Sequence, residues 1–546
     1  MNKFLLFLIT IVLTSCTTEK PSADLLVTNA NIWTGDIDNP KAEAIAVKGD
    51  SILAIGSLKE VMKFKSESTK IVDALGNFIT PGFIDTHVHL LMGGNSLLSV
   101  QLRDAKTKKE FIDRIASFTK KIKPDQWIVE GNWDHTLWGG ELPTKKWIDK
   151  FTHENPVAIY RMDGHMILAN SAALKIAGID RNTPNVGNGE IVKDPNGEPT
   201  GILKSEAMYL VLNKIPSLSK EEKENAINQA QEYLLSQGVT TIHDVDSLGG
   251  FEVMDDMYTN NQLKIRVYTA DPLKKWKSVA KNTSKSKWLK NGLLKGFVDG
   301  SLGSHTAAFI EPYSDAKDSK GLLIVNQDSL NNWIMEADEK GFQITVHAIG
   351  DRANNSLLNS YEKIIHKNGE KDRRLRIEHA QHLSPTDINR FSKLNVIASM
   401  QPYHSIDDGR WAEVLIGLER IKTTYAFKSL LDANATVVFS SDWPVAPASP
   451  ILGIYAATTR QTLDGKYPEG WVPKEKITAS QALKAYTKDA AYSSFDENIK
   501  GTLAKGKLAD FVVLSEDLTT LDPKKIKDVM VLQTFVGGKK VYEKIP

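Results

Sequence analysis

Two histidines one residue apart close an apolar run, Phe83-Ile84-Asp85-Thr86-His87-Val88-His89. Side chains on a strand alternate faces with a period of two, so His87 and His89 share a face, with Asp85 behind them. Imidazole nitrogens set side by side at a strand end are donors that suit a divalent cation. The same spacing also fits two unrelated polar residues at a strand-to-loop junction, so the rest of the chain has to decide. Other ionisable residues fall in or at the ends of apolar runs: Lys295, His347, His379 and Asp442. A lysine inside an apolar strand is costly to bury as a cation. Burial and neighbouring cations lower its pKa. As a neutral amine it can take up carbon dioxide and become a carbamate, an anion able to bridge two metals. The competing reading is a strand-end lysine that snorkels to water.

The elements that must position these groups are strands buried on both faces. Near-continuous apolar runs end at His87 and cover 239–244, 265–269, 293–299, 342–347, 375–379, 396–400 and 435–442, with helical stretches between them. That pattern marks a parallel sheet. Eight such strands predict an α/β fold, a (β/α)8 TIM barrel, whose active site gathers at the strand C-termini. The barrel is expected over 81–498. The stretch from about 100 to 237 is too long for one crossover and reads as an insertion. It holds Trp127, Trp133, Trp138 and Trp147. Residues 24–80 and 499–546 share a texture of short strands and Gly, Asn and Asp turns. The two chain ends are expected to pair into one small β-sandwich, neither end having enough strands for a stable sheet alone.

The chain's 546 residues exceed what one core usually serves, which agrees with a large and a small domain. Formal net charge is only +1, so nothing points to nucleic acid. Lys3, the apolar run 4–13 and Leu13-Thr14-Ser15-Cys16 predict an N-terminal export signal over 1–15. The run is too short for a stable membrane-spanning helix. The segment resembles a bacterial lipobox, which implies lipidation of Cys16, a tether over 16–23 and an exported chain anchored to a bacterial membrane. Cys16 is the only cysteine, so disulfides and cysteine catalysis are not expected.

The motifs taken together resemble the amidohydrolase superfamily, in the branch that includes N-substituted formamide deformylases. The resemblance is carried by residues 81–89, by Lys295-Gly296-Phe297-Val298-Asp299-Gly300-Ser301 and by Val346-His347-Ala348-Ile349-Gly350-Asp351. It continues through Ile377-Glu378-His379-Ala380, Ser440-Ser441-Asp442-Trp443-Pro444 and residues 501–511, and through Asp163-Gly164-His165 and residues 170–174 of the insertion. It implies His87, His89 and Asp442 on one metal, His347 and His379 on a second, and Lys295 bridging as a carbamate. It further implies two divalent ions, for which zinc suits the donors, although iron, manganese, nickel or cobalt would fit as well. A metal-bridging hydroxide would attack a non-peptide C–N bond of a small-molecule amide or formamide, with Asp442 moving the proton. Asp85 is a candidate support for the histidines. His382 is a further catalytic candidate, and His165, His404, His243 and Trp133 are candidates for substrate contact, with Trp138 and Trp443 as candidate pocket walls. The alternatives are a one-metal deaminase, a cyclic-amide or phosphate-ester hydrolase, and a lipid-anchored binding protein without catalysis. Lys295 argues against the deaminase, since such members commonly lack the bridging lysine.

Overall fold

The eight apolar runs form one parallel sheet, β1 to β8 in chain order, in a computed structural model that describes residues 21–545 apart from 163, 188, 247 and 280–285. Cys16, the expected signal peptide and most of the tether lie outside the described residues, as does Asp163. The strands are β1 (Phe83–Val88), β2 (Val239–Asp244), β3 (Arg266–Pro272), β4 (Leu289–Phe297), β5 (Gln343–Ala348), β6 (Arg376–His379), β7 (Ile397–Met400) and β8 (Val437–Phe439). Each pairs in parallel with the next. The sheet closes where Asp442 N–H donates to His87 O and His89 N–H donates to Trp443 O, both at 2.9 Å. This is a (β/α)8 TIM barrel. Both faces of its strands are covered, which is why β1, β2 and β7 are buried along their whole length.

β8 is shorter than the run 435–442 predicts. It stops at Phe439, and Asp442 lies in the left-handed region with φ 60°. The chain leaves the strand so that Asp442 can turn toward the ends of β1.

The long stretch after β1 carries its own five-stranded sheet, ordered Glu190–Lys193, Pro199–Lys204, Met166–Ala169, Val157–Arg161 and Ile128–Trp133. Its core packs Phe111, Trp133, Ile148 and Ile159. The insertion ends earlier than position 237. Helix α1 (Lys220–Ser236), opened by a Ser219/Glu222 capping box, belongs to the barrel layer and lies along Leu90–Leu97. The two helices touch at Gly94, where a Cβ would sit 2.0 Å from the backbone oxygen of Ala226.

The chain ends make two sheets. A four-stranded sheet, ordered Ser51–Gly56, Ala44–Lys48, Leu25–Thr28 and Lys70–Asp73, is built from the N-terminal part alone, so the expected need for both ends does not hold there. The six-stranded sheet does join the ends: Phe511–Leu514 pairs antiparallel with Phe78–Pro81. Ile45, Ile79, Phe511 and Phe535 pack together, with the Phe511 and Phe535 rings stacked 4.4 Å apart. Among the described residues no helix is long and apolar enough to cross a membrane.

Candidate metal centre

The C-terminal ends of β1, β4, β5 and β6 and the turn after β8 bring His87, His89, Lys295, His347, His379 and Asp442 together. The carboxylate of Asp442 is the hub. Its Oδ1 lies 3.3 Å from Nε2 of His87 and 3.3 Å from Nε2 of His89. Two donors on one tetrahedral ion at zinc-like bond lengths stand about 3.3 Å apart. His87, His89 and Asp442 therefore match a cation site as they lie. A second trio, His379, His404 and Asp442, also has its donor atoms within 4.8 Å of one another.

The hydrogen bonds behind the rings fix which nitrogen is free. His87 Nδ1 is 2.6 Å from Glu378 Oε2. An ionised carboxylate only accepts, so Nδ1 carries the proton and Nε2 keeps its lone pair. Burial pushes Glu378 up, but the charge of Arg376 and the hydrogen bond from His87 hold it well below the usual carboxylate range. Arg376 Nη2 is 2.6 Å from Glu378 Oε1, and Thr345 donates to the same carboxylate. His379 Nδ1 donates to Gln401 Oε1 at 2.8 Å, and Gln401 Nε2 donates to Ser440 Oγ at 2.9 Å. The donor set is thus oriented imidazole nitrogen plus carboxylate oxygen, which fits a divalent cation such as zinc.

Lys295 is 5% exposed, with Nζ 3.4 Å from His87 Nε2. Burial pulls its pKa down to about 8. Burial, helped by Lys295, takes His87 down to about 4 and His347 to about 3, so both rings are neutral near pH 7. Burial raises Asp442, yet the surrounding His87, His89 and His379 hold it well below the ordinary range, so it is ionised. Asp85 accepts from the backbone N–H of Ser441 at 3.0 Å and of His87 at 3.3 Å, tying the β1 end to the turn after β8. Burial pushes it up to about 7.

The other candidates, His404 excepted, lie elsewhere. His382 is buried after β6 with Nδ1 2.8 Å from Thr424 Oγ1 and its ring against Phe309, outside the donor cluster. Trp133 is fully buried in the insertion core and donates to Ile159 O at 3.0 Å. Trp138 packs there too, against Phe111, and Trp443 packs on Tyr233. His165 is exposed on the insertion. His243 is inside the barrel, its Nδ1 2.8 Å from Arg376 Nη1. His404, in the helix Pro402–Asp408 that follows β7, does reach the centre.

The sequence reading missed Glu378, Arg376 and Gln401 as supports. A signal was there: Arg376 and Glu378 are opposite charges two apart in an apolar strand, hence on one face. Strict alternation would put Glu378 and His379 on opposite faces. The left-handed turn at His379, φ 74°, breaks the alternation and lets both serve the centre.

A cluster of histidines and one aspartate able to hold a cation at the C-terminal mouth of a TIM-type parallel barrel suits metal-assisted hydrolysis. The comparisons agree. The model of the Amidohydrolase family matches residues 70–542. Protein LONG AFTER FAR-RED 3 of Arabidopsis thaliana is 41% identical over 95% of this chain and 92% of its own length. An N-substituted formamide deformylase of Arthrobacter pascens is a more distant relative, 27% identical over 95% of this chain and 98% of its own. Among solved structures, an uncharacterized metal-dependent hydrolase from Pyrococcus furiosus superposes with a TM-score of 0.76 at 27% identity, covering 92% of this chain and 100% of that one. The chain belongs to the amidohydrolase family.

Proposed function

We propose that this protein is a metal-dependent hydrolase of a non-peptide C–N bond, in an amide or formamide-like small molecule. The observation that carries the reading is Asp442 held ionised 3.3 Å from both His87 Nε2 and His89 Nε2. A divalent cation, when bound, supplies a lowered pKa for water and polarisation of a carbonyl. Asp442 is the base: buried, anionic and at the hub, it accepts the proton of the attacking water and returns it to the leaving nitrogen. Glu378 and Gln401 keep His87 and His379 in the tautomers that offer Nε2. Lys295 is placed to react as a free amine with carbon dioxide, its nitrogen forming the new C–N bond and releasing one proton. The carbamate adds two oxygen donors where an ammonium would repel a cation. The relative named as a formamide deformylase supports this bond class. We further propose export and lipid anchoring through Cys16, which metabolic labelling with a fatty acid would detect in the wild type and not in Cys16→Ala.

The test is metal content per full chain beside hydrolysis of a panel of amides and formamides. Asp442→Asn should retain the fold and lower turnover by at least ~100-fold, the scale of a lost proton-transfer group. Lys295→Ala should lower the metal content. A wild type that hydrolyses members of the panel equally well after chelation would sink the reading.

A further inference from the structure

We propose that His404 is a catalytic residue of the C–N hydrolysis read above: its ring N–H donates a hydrogen bond to the carbonyl oxygen of the substrate, and that bond strengthens as the oxygen becomes an oxyanion. This deepens, and rests on, that reading. The family resemblance fills both cation positions without His404 and gives the end of β7 no task.

Three observations converge on His404. Of His165, His243, His382 and His404, it alone brings a ring nitrogen within 4.8 Å of the donor atoms of His379 and Asp442. Its Nε2 is buried and has no hydrogen-bond partner among the described residues. Buried ring nitrogens are seldom left unpaired, and one that opens on a site is paired when substrate arrives. The third observation is the segment that carries it, which is held at both ends. Gln401, just before the helix Pro402–Asp408, spans His379 Nδ1 and Ser440 Oγ. Asp408, one turn beyond His404, accepts from Tyr425 Oη at 2.6 Å and from Gln381 Nε2 at 2.8 Å. The helix is therefore tied to the ends of β6 and β8 before any substrate binds. A donor fixed in advance needs no reorganisation when charge develops opposite it.

The choice of substrate atom follows from what the neighbours already do. Asp442 is occupied with the proton that passes from the attacking water to the leaving nitrogen. The carbonyl oxygen is the atom that gains negative charge, and it carries two lone pairs. When one of them faces a cation, the other is left for a donor from the protein, and an imidazole N–H suits it. The proton stays on His404 throughout, so no bond of that residue forms or breaks. Because the hydrogen bond is stronger to the oxyanion than to the neutral carbonyl, it acts on kcat more than on KM.

The experiment uses the full chain loaded with cobalt(II) and two substrates that differ only in leaving group: the anilide and the 4-nitroanilide of the acyl group that the panel shows to be turned over fastest. Wild type, His404→Ala and His404→Gln are compared for kcat and KM. Cobalt(II) equivalents bound, the visible ligand-field absorbance of the bound ion and the melting temperature are measured on the same proteins. His404→Ala should lower kcat by ~100-fold on both substrates alike, the scale of a lost oxyanion donor, with KM within about threefold of the wild type. His404→Gln should recover part of that loss, because its amide N–H can also donate. Cobalt(II) content and absorbance should match the wild type in both variants. Loss of a cobalt(II) equivalent would overturn the proposal, because His404 would then be a ligand. A loss of kcat at least tenfold larger on the anilide than on the 4-nitroanilide would overturn it as well, because the poorer leaving group needs its proton more and His404 would then be supplying it. An unchanged kcat in His404→Ala would overturn it outright. Each of these three outcomes leaves the hydrolase reading standing, whereas a wild type that hydrolyses no member of the panel would end that reading and this proposal with it.

Discussion

Lys295 sits in β4 with its amine 3.4 Å from a histidine nitrogen, and the barrel wall removes the water its charge would need. With burial holding its pKa near 8, against about 10.4 in an unfolded chain, folding disfavours the ammonium form. Between those values the folded protein has released a proton that the unfolded chain keeps, so stability rises with pH across the window. Below pH 8 both states are protonated and the full penalty, on the order of 3 kcal/mol, applies. Lys295→Met keeps the length of the side chain and removes the charge. In cation-free, carbon-dioxide-free buffer the variant should therefore be the more stable at pH 7, and its advantage should shrink as pH rises past 8 toward 10. Urea unfolding of both proteins at pH 7 and 9.5 measures this. Equal midpoints at pH 7 would mean that the amine is hydrated and snorkels.

At the scale of elements, the apolar runs were legible because a parallel strand buried on both faces needs little else than bulk. β2 coincides with the run at 239–244, and the other strands deviate by a few residues at their ends. Four histidines and an aspartate at strand ends were legible for the same reason: the barrel fixes which end of a strand does chemistry. What alternation could not give is side-chain direction after the chain leaves the sheet. His379 and Ala380 both lie at positive φ, and this turn carries His382 away to Thr424 while the β7 segment carries His404 inward. The end of the insertion was hidden too, because the partner of helix α1 is Leu90–Leu97, more than a hundred residues earlier. Gly94 is the point of contact, and the atom a Cβ would meet is backbone, Ala226 O at 2.0 Å. Alanine in a helix is otherwise favoured over glycine by about 1 kcal/mol. Gly94→Ala should nonetheless destabilise the protein by about 1–3 kcal/mol, the range for forced overpacking, because the helices must separate. A thermal melt decides it: a raised melting temperature would mean that the two helices part without strain.

For the whole molecule the question is how the sandwich and the barrel depend on each other. Arg266 opens β3 at the barrel end away from the metal centre, and Asp510 precedes the strand that returns the chain to the sandwich. Their contact is bidentate, Nε to Oδ2 at 2.7 Å and Nη2 to Oδ1 at 3.0 Å, with side chains 1% and 5% exposed. The cluster has further partners: Arg266 donates to Lys287 O and lies over Trp288, and Asp510 accepts from Gly537 N–H. Replacing both members of such a pair by apolar groups can be nearly neutral, but removing one charge strands the other and typically costs about 3–5 kcal/mol. Asp510→Asn keeps the shape and leaves the buried guanidinium uncompensated, so denaturant unfolding should show a loss near 3 kcal/mol. The double variant Arg266→Met/Asp510→Leu should recover most of it. Because the pair is at the opposite end of the strands from His87 and Asp442, cobalt(II) affinity under native conditions should be unchanged in both proteins. Weaker binding in the folded Asp510→Asn protein would instead mean that the strands transmit the disturbance along their length, and that the sandwich sets the geometry of the mouth as well as the stability of the chain.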